Sequence, residues 1–63
     1  MNICDQIIDM KRVQIQTANA VIEGTPINID YAEDTGESED AICVETNDGR
    51  IVSILEGQIK AFK

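Results

Sequence analysis

The side chains of this chain that could do chemistry are twelve carboxylates, five bases and two thiols, with no histidine. Covalent catalysis pairs a nucleophile with a base that activates it. Neither Cys4 and Cys43 nor any hydroxyl has an imidazole to serve. A structural zinc site takes four Cys or His ligands, and only two such residues exist. Gly24, Gly36, Gly49 and Gly57 stand singly, so no glycine-rich loop is available to cradle phosphate. Asp34-Thr35-Gly36 spells the triplet of aspartic proteases, which need an apolar strand before it and a second copy to share the proton. Here Ala32-Glu33 precede it in an acidic stretch. Counted as a calcium loop from Asp30, the third and fifth positions are Ala32 and Asp34, so the oxygen pattern breaks at its second ligand. The expectation is no enzyme, no cofactor and no metal site.

Charge is the remaining signal. Asp30, Glu33, Asp34, Glu37, Glu39 and Asp40 lie in one stretch without a base among them, and the chain carries a net charge of −7. Such a protein is repelled by nucleic acid and anionic membranes, and drawn to basic surfaces. Basic surfaces in cells are mostly nucleic-acid-binding grooves. We therefore expect a non-catalytic inhibitor whose partner-binding face is these six acids. Its partner would be a basic nucleic-acid-binding protein such as a helicase, polymerase or nuclease. The alternative is an oligomeric scaffold joined through a strand edge, or a small-ligand-binding module, in which the charge only serves solubility.

These groups need a scaffold. The 63 residues, 43% apolar and 27% charged, have globular composition and suffice for one small domain with a marginal core. No apolar run approaches the roughly 18 residues of a membrane span. Met1-Asn2-Ile3-Cys4-Asp5 lacks the basic and apolar regions of a secretory leader. Each cysteine has apolar neighbours, which suits buried free thiols in a reducing cytoplasm; a disulfide is the alternative.

Residues 2–10 read as a short helix, with Asn2 as cap, Asp5 in the first turn, and Ile3, Cys4, Ile7 and Ile8 at helical spacing. From Val13 the apolar period becomes two, giving a strand over Val13–Thr17 and a turn at Ala18-Asn19-Ala20. A second strand over Val21–Tyr31 is interrupted at Gly24 and Pro26, which demands a bulge or an edge. The stretch from Asp30 to Asp40 reads as a solvated loop. Ala41–Thr46 and Arg50–Leu55 flank Asn47-Asp48-Gly49 and read as a hairpin about a two-residue type I′ turn at Asp48-Gly49. That turn sets Thr46 opposite Ile51, Val44 opposite Ser53 and Ile42 opposite Leu55, with Cys43 against Ile54 on the other face. Apolar residues then fall on both faces, so cover on both is expected, from the helix and from barrel closure. Gln58–Phe62 makes a closing strand. The fold expected is mainly β: one N-terminal helix, then a small SH3-like or Sm-like curled barrel of four or five antiparallel strands. A three-stranded sheet with helices at its ends is the alternative. Phe62 is assigned to the core and Tyr31 to its rim.

The chain resembles the small Rho-binding antitermination factors of bacteria. The similarity rests on Cys4-Asp5, on Ala41-Ile42-Cys43-Val44-Glu45-Thr46 with Gly49 and Ile54, and on Gln58-Ile59-Lys60-Ala61-Phe62. Gly24 followed by Ile27, Asp30 and Tyr31 is similar to the second strand of Sm-like folds. The family's tyrosine after Cys-Asp is replaced by Ile7 and Ile8. The resemblance implies an Sm-like barrel with an N-terminal helix that covers an RNA-binding surface of a helicase-like partner. Met1-Asn2-Ile3 and Asn47-Asp48-Gly49 are also similar to segments of small acidic phage anti-CRISPR inhibitors, which implies a blocker of a host nuclease.

Overall fold

A computed structural model describes residues 2–63. Helix α1 (Ile3–Ile8) begins at Asn2, whose side chain accepts the Cys4 N–H at 2.8 Å. It is shorter than the expected 2–10. Asp9 already caps its C-terminus, and the Met10 N–H closes the end on the Ile7 carbonyl. Strands β1 (Val13–Gln16), β2 (Val21–Asp30), β3 (Ala41–Thr46), β4 (Ile51–Leu55) and β5 (Ala61–Phe62) form one antiparallel sheet in the order β4-β3-β2-β1-β5. Mainly β with one short N-terminal helix is the expected class. No helix among the described residues is long and apolar enough to cross a membrane.

Strand β2 shapes the sheet. Its first half pairs with β1 as far as Gly24, and from Gly24 onward it pairs with β3. At this crossing a Cβ on residue 24 would overlap the Glu45 carbonyl and meet Val44 Cγ1 at 2.9 Å, so only glycine lets the strands approach. The expected interruption is a bulge: Pro26 pairs with Val44, Asn28 with Cys43, and Ile27 is the extra residue. Pro26 is tolerated in this central strand because β1 has ended by then, leaving no donor to supply on that side.

The hairpin register corrects the expected one. Glu45 pairs with Ile51, Val44 with Val52, Cys43 with Ser53, Ile42 with Ile54 and Ala41 with Leu55, a shift of one residue. Type I′ needs positive φ at both central residues, yet here only Gly49 has it, at 87°. The loop is instead Asn47-Asp48-Gly49, closed by Gly49 N–H to Thr46 O at 3.0 Å and Thr46 N–H to Arg50 O at 2.8 Å. The one-residue slip exchanges β4's two faces. Ile42, Val44, Val52 and Ile54 now share the core side, and Ala41, Cys43, Ser53 and Leu55 the outer side.

Cys4 and Ile7 of α1 pack with Val13, Ile15, Ile42, Val44 and Ile54 to form the buried core. Phe62, assigned to the core, lies only half-buried against it, and Tyr31, assigned to the rim, is 40% exposed. Both thiols are free and buried. The sheet is not closed into the expected barrel. A turn of 3-10 helix (Glu56–Gln58) separates β4 from β5, and these two strands share no ladder. The resulting seam is a groove of about 410 Å³ between β4 and the β1–β2 turn.

Candidate functional site

The acidic stretch is more ordered than a solvated loop. Ala32–Thr35 forms a single helical turn, α2, ended by Gly36 at φ 79° with its N–H on the Ala32 carbonyl. Tyr31 at the cap position has no side chain suited to capping, and Asp40 takes that role from the far end, accepting the Ala32 N–H at 2.8 Å. The other Asp40 oxygen accepts from the Asn2 side chain, and the Asp40 carbonyl accepts the Glu56 N–H at 2.9 Å. The Tyr31 hydroxyl donates to Asp5 at 3.3 Å, tying the same corner to α1. One residue thus joins the starts of both helices, through its carboxylate, to the end of β4, through its backbone carbonyl.

The six sequence-assigned acids therefore divide. Asp40 is committed to this junction. Glu39 accepts the Gly57 N–H. Asp30 accepts from the Asn28 amide at 3.0 Å and from the Cys43 thiol at 3.4 Å. Glu33, Asp34 and Glu37 are exposed, and their carboxylates accept no hydrogen bond among the described residues. Asp30, Glu37 and Glu39 line one groove of about 350 Å³ on the outer face of the sheet, with Ala41 and Leu55 as its apolar part and Thr35 and Ser53 at its sides. Glu33 and Asp34 stand beside it on α2. Sequence reasoning missed the groove's other walls, because Ser53 and Leu55 reach it only through the corrected register. A Gly placed just after Ala-Glu-Asp-Thr was the one signal for α2.

Cover on the outer face comes from this acidic segment rather than from barrel closure. Cys43 is only 8% exposed there. Burial and its bond to Asp30 push its thiol pKa upward, so it stays protonated. Cys4 is driven further, to about 11, by burial and then by the negative charges of Glu56, Asp40 and Asp5. Neither is a thiolate at neutral pH.

Three of the five bases, Arg12, Arg50 and Lys63, lie at the opposite end. The Arg12 guanidinium donates to Asn47 in the β3–β4 turn at 2.7 Å, Arg50 pairs with Asp48 at 2.9 Å, and the Lys63 backbone pairs with Gln14 beside them. The Asp48 carboxyl is held below its usual range first by the Thr46 hydroxyl, with Arg50 adding to it. Arg50–Asp48 is the single ion pair among the described residues, and it is fully at the surface. Strand β3, about 17 Å long at 3.4 Å per residue, separates this end from the acidic groove. That distance exceeds the Debye length of about 8 Å at physiological ionic strength, so the acidic field is not cancelled there.

Among the described residues no group of three or more thiols and carboxylates is arranged to hold a metal ion. Comparisons with protein-family models, curated proteins and solved structures find no match for this chain.

Proposed function

We propose that this protein is a non-catalytic acidic inhibitor that seats its α2 end on the basic nucleic-acid-binding surface of a partner protein. The observation that carries the reading is the groove in which Asp30, Glu37 and Glu39 surround an apolar floor of Ala41 and Leu55. A lysine or arginine side chain has this composition in reverse, with an apolar stem and a cationic head. Glu33 and Asp34, unpaired on the adjacent turn, extend the negative surface for further cations. A surface of like negative charge shares its sign with a phosphate backbone, so a basic nucleic-acid-binding groove is complementary to it. A helicase, polymerase or nuclease of a bacterial cell or its phage is the class of partner implied. The antitermination and anti-CRISPR resemblances point to the same physical act.

The experiment is capture on immobilised protein at low and high salt, with added RNA or DNA as competitor. A nucleic-acid-binding protein held at low salt and displaced both by salt and by nucleic acid supports the proposal. Capture indifferent to either competitor overturns it.

A further inference from the structure

Strand β4 is a free edge of the sheet. In the β3–β4 ladder, Thr46 bonds Arg50 and Asp40 bonds Glu56, so the even-numbered residues of β4 turn their N–H and C=O toward β3. Ile51, Ser53 and Leu55 turn theirs outward. The Leu55 N–H is taken by the Gln58 side chain at 2.9 Å. Among the described residues nothing pairs with the N–H and C=O groups of Ile51 and Ser53, and no strand lies beyond them.

The two faces beside this edge differ in charge. On the outer face lies the acidic groove, where Ser53 and Leu55 adjoin Asp30, Glu37 and Glu39. On the core side lies the seam of the unclosed sheet, which Ser53 also borders. Its apolar walls are Ile22, Val52 and Ile54, and its one charged lining residue is a cation, Lys60. A strand added to β4 would follow the pleat. Residues opposite Val52 and Ile54 would face the seam, and residues opposite Ile51, Ser53 and Leu55 would face the acids. Apolar side chains suit the first set and basic ones the second. In the reverse phase, cations would meet Lys60 and leave the acidic groove unanswered. Ile51, the most exposed large apolar residue described at 64%, lies on the acidic face, where the aliphatic stem of a lysine or arginine would cover it.

We infer that the β4 edge takes up an extended segment of the partner protein in which basic and apolar residues alternate. The segment pairs antiparallel with Ile51 and Ser53, as every ladder of this sheet does, turning its apolar side chains to the seam and its cations to Asp30, Glu37 and Glu39. This pairing rests on the proposed function and adds to it the form in which the partner presents its cations. Gln58, by occupying the Leu55 N–H, limits the added ladder to the Ile51–Ser53 part of the edge.

The test uses the full-length isotope-labelled protein and two blocked pentapeptides of equal charge and composition, at up to about 1 mM. One alternates, acetyl-Lys-Val-Lys-Val-Lys-amide, and the other does not, acetyl-Lys-Lys-Val-Val-Lys-amide. The expected result is amide shifts centred on Ile51 and Ser53 with the alternating peptide, and binding about tenfold weaker with the other. Ser53→Pro deletes the central outward donor and keeps the β3 ladder, so it should abolish that preference. Methylating the backbone nitrogen of the central lysine should do the same with the parent protein, which guards against a misfolded proline variant. Equal binding of the two peptides, or shifts confined to the acidic groove, overturns strand addition and leaves the proposed function standing. No shift with either peptide also overturns it, while salt-sensitive capture of the whole partner still decides the proposed function separately. Concentration-dependent protection of the Ile51 and Ser53 amides in the protein alone overturns it too, by assigning the edge to a second copy of the chain.

Discussion

Asp40 accepts the backbone N–H of Ala32 at 2.8 Å, closing the acidic stretch on itself and making one of its carboxylates part of the scaffold that holds the others. The bond caps α2, and the second oxygen of the same carboxylate holds Asn2 at the start of α1. Like charges that repel are thereby kept on one surface, at a cost kept small because water screens the exposed groups.

Asp40→Ala should therefore destabilise the fold by about 1–2 kcal/mol, the usual loss for a cap and a hydrogen bond to a charged group. Glu33→Gln and Asp34→Asn should be neutral or slightly stabilising, since they lose no bond and relieve repulsion. Chemical denaturation of the three variants distinguishes the structural acid from the two exposed ones.

Gly24→Ala tests the strand crossing. The added Cβ meets the Glu45 backbone carbonyl, which cannot turn aside as a flexible side chain would. A loss of about 3 kcal/mol or more is expected, enough to unfold much of so small a domain. Gly57→Ala is the comparison, because its Cβ meets only the Glu39 carboxylate at 2.9 Å, and that side chain can move.

Much of this fold was legible in the sequence, where local chemistry decides. The change of apolar period after Lys11 marks the passage from α1 to β1, and Gly24 with Pro26 marks the bulge in β2. The hairpin register was not legible. Asp48-Gly49 suits a two-residue turn and a three-residue loop alike, and the choice is made by burial of Ile42, Val44, Val52 and Ile54 together. The site was half legible for a related reason. Charge density in sequence marks the acidic stretch, but Asp40, Asp30 and Glu39 take partners 8, 13 and 18 positions away, and no local pattern announces those bonds.

Gly49 at φ 87° gives a direct check on the loop. Gly49→Ala should cost about 1 kcal/mol or somewhat more, whereas Gly49→Asn should cost less because asparagine tolerates the left-handed region. A type I′ turn at Asp48-Gly49 would also require positive φ at residue 48, so Asp48→Gly should then stabilise; with the observed loop it should not. Thermal melts of the three variants report the outcome.

Cys4 predicts alkaline sensitivity. Its folded pKa of about 11 lies above the ordinary 9.0, so the folded state keeps the proton that the unfolded state releases. The stabilisation is complete below pH 9 and is lost as the pH rises from 9 toward 11. Denaturation profiles across that window should fall for the parent and flatten for Cys4→Ala, whose overall stability is lower because a buried side chain is truncated. Alkylation of both thiols at neutral pH should be slow in the folded protein and fast in denaturant.

The central claim is that unpaired carboxylates at the α2 end steer the protein onto a cationic surface. Its most direct test is the association rate with a captured partner, measured against ionic strength for the parent and for the triple variant Glu33→Gln, Asp34→Asn, Glu37→Gln. Glu39 and Asp40 are left in place because they hold the scaffold. The account predicts that the parent's on-rate falls steeply with salt, that the triple variant associates about tenfold more slowly at low salt, and that the two converge at high salt with dissociation rates little changed. Equal on-rates at low salt, with the variant folded, would contradict it and reduce the acidic stretch to a connector.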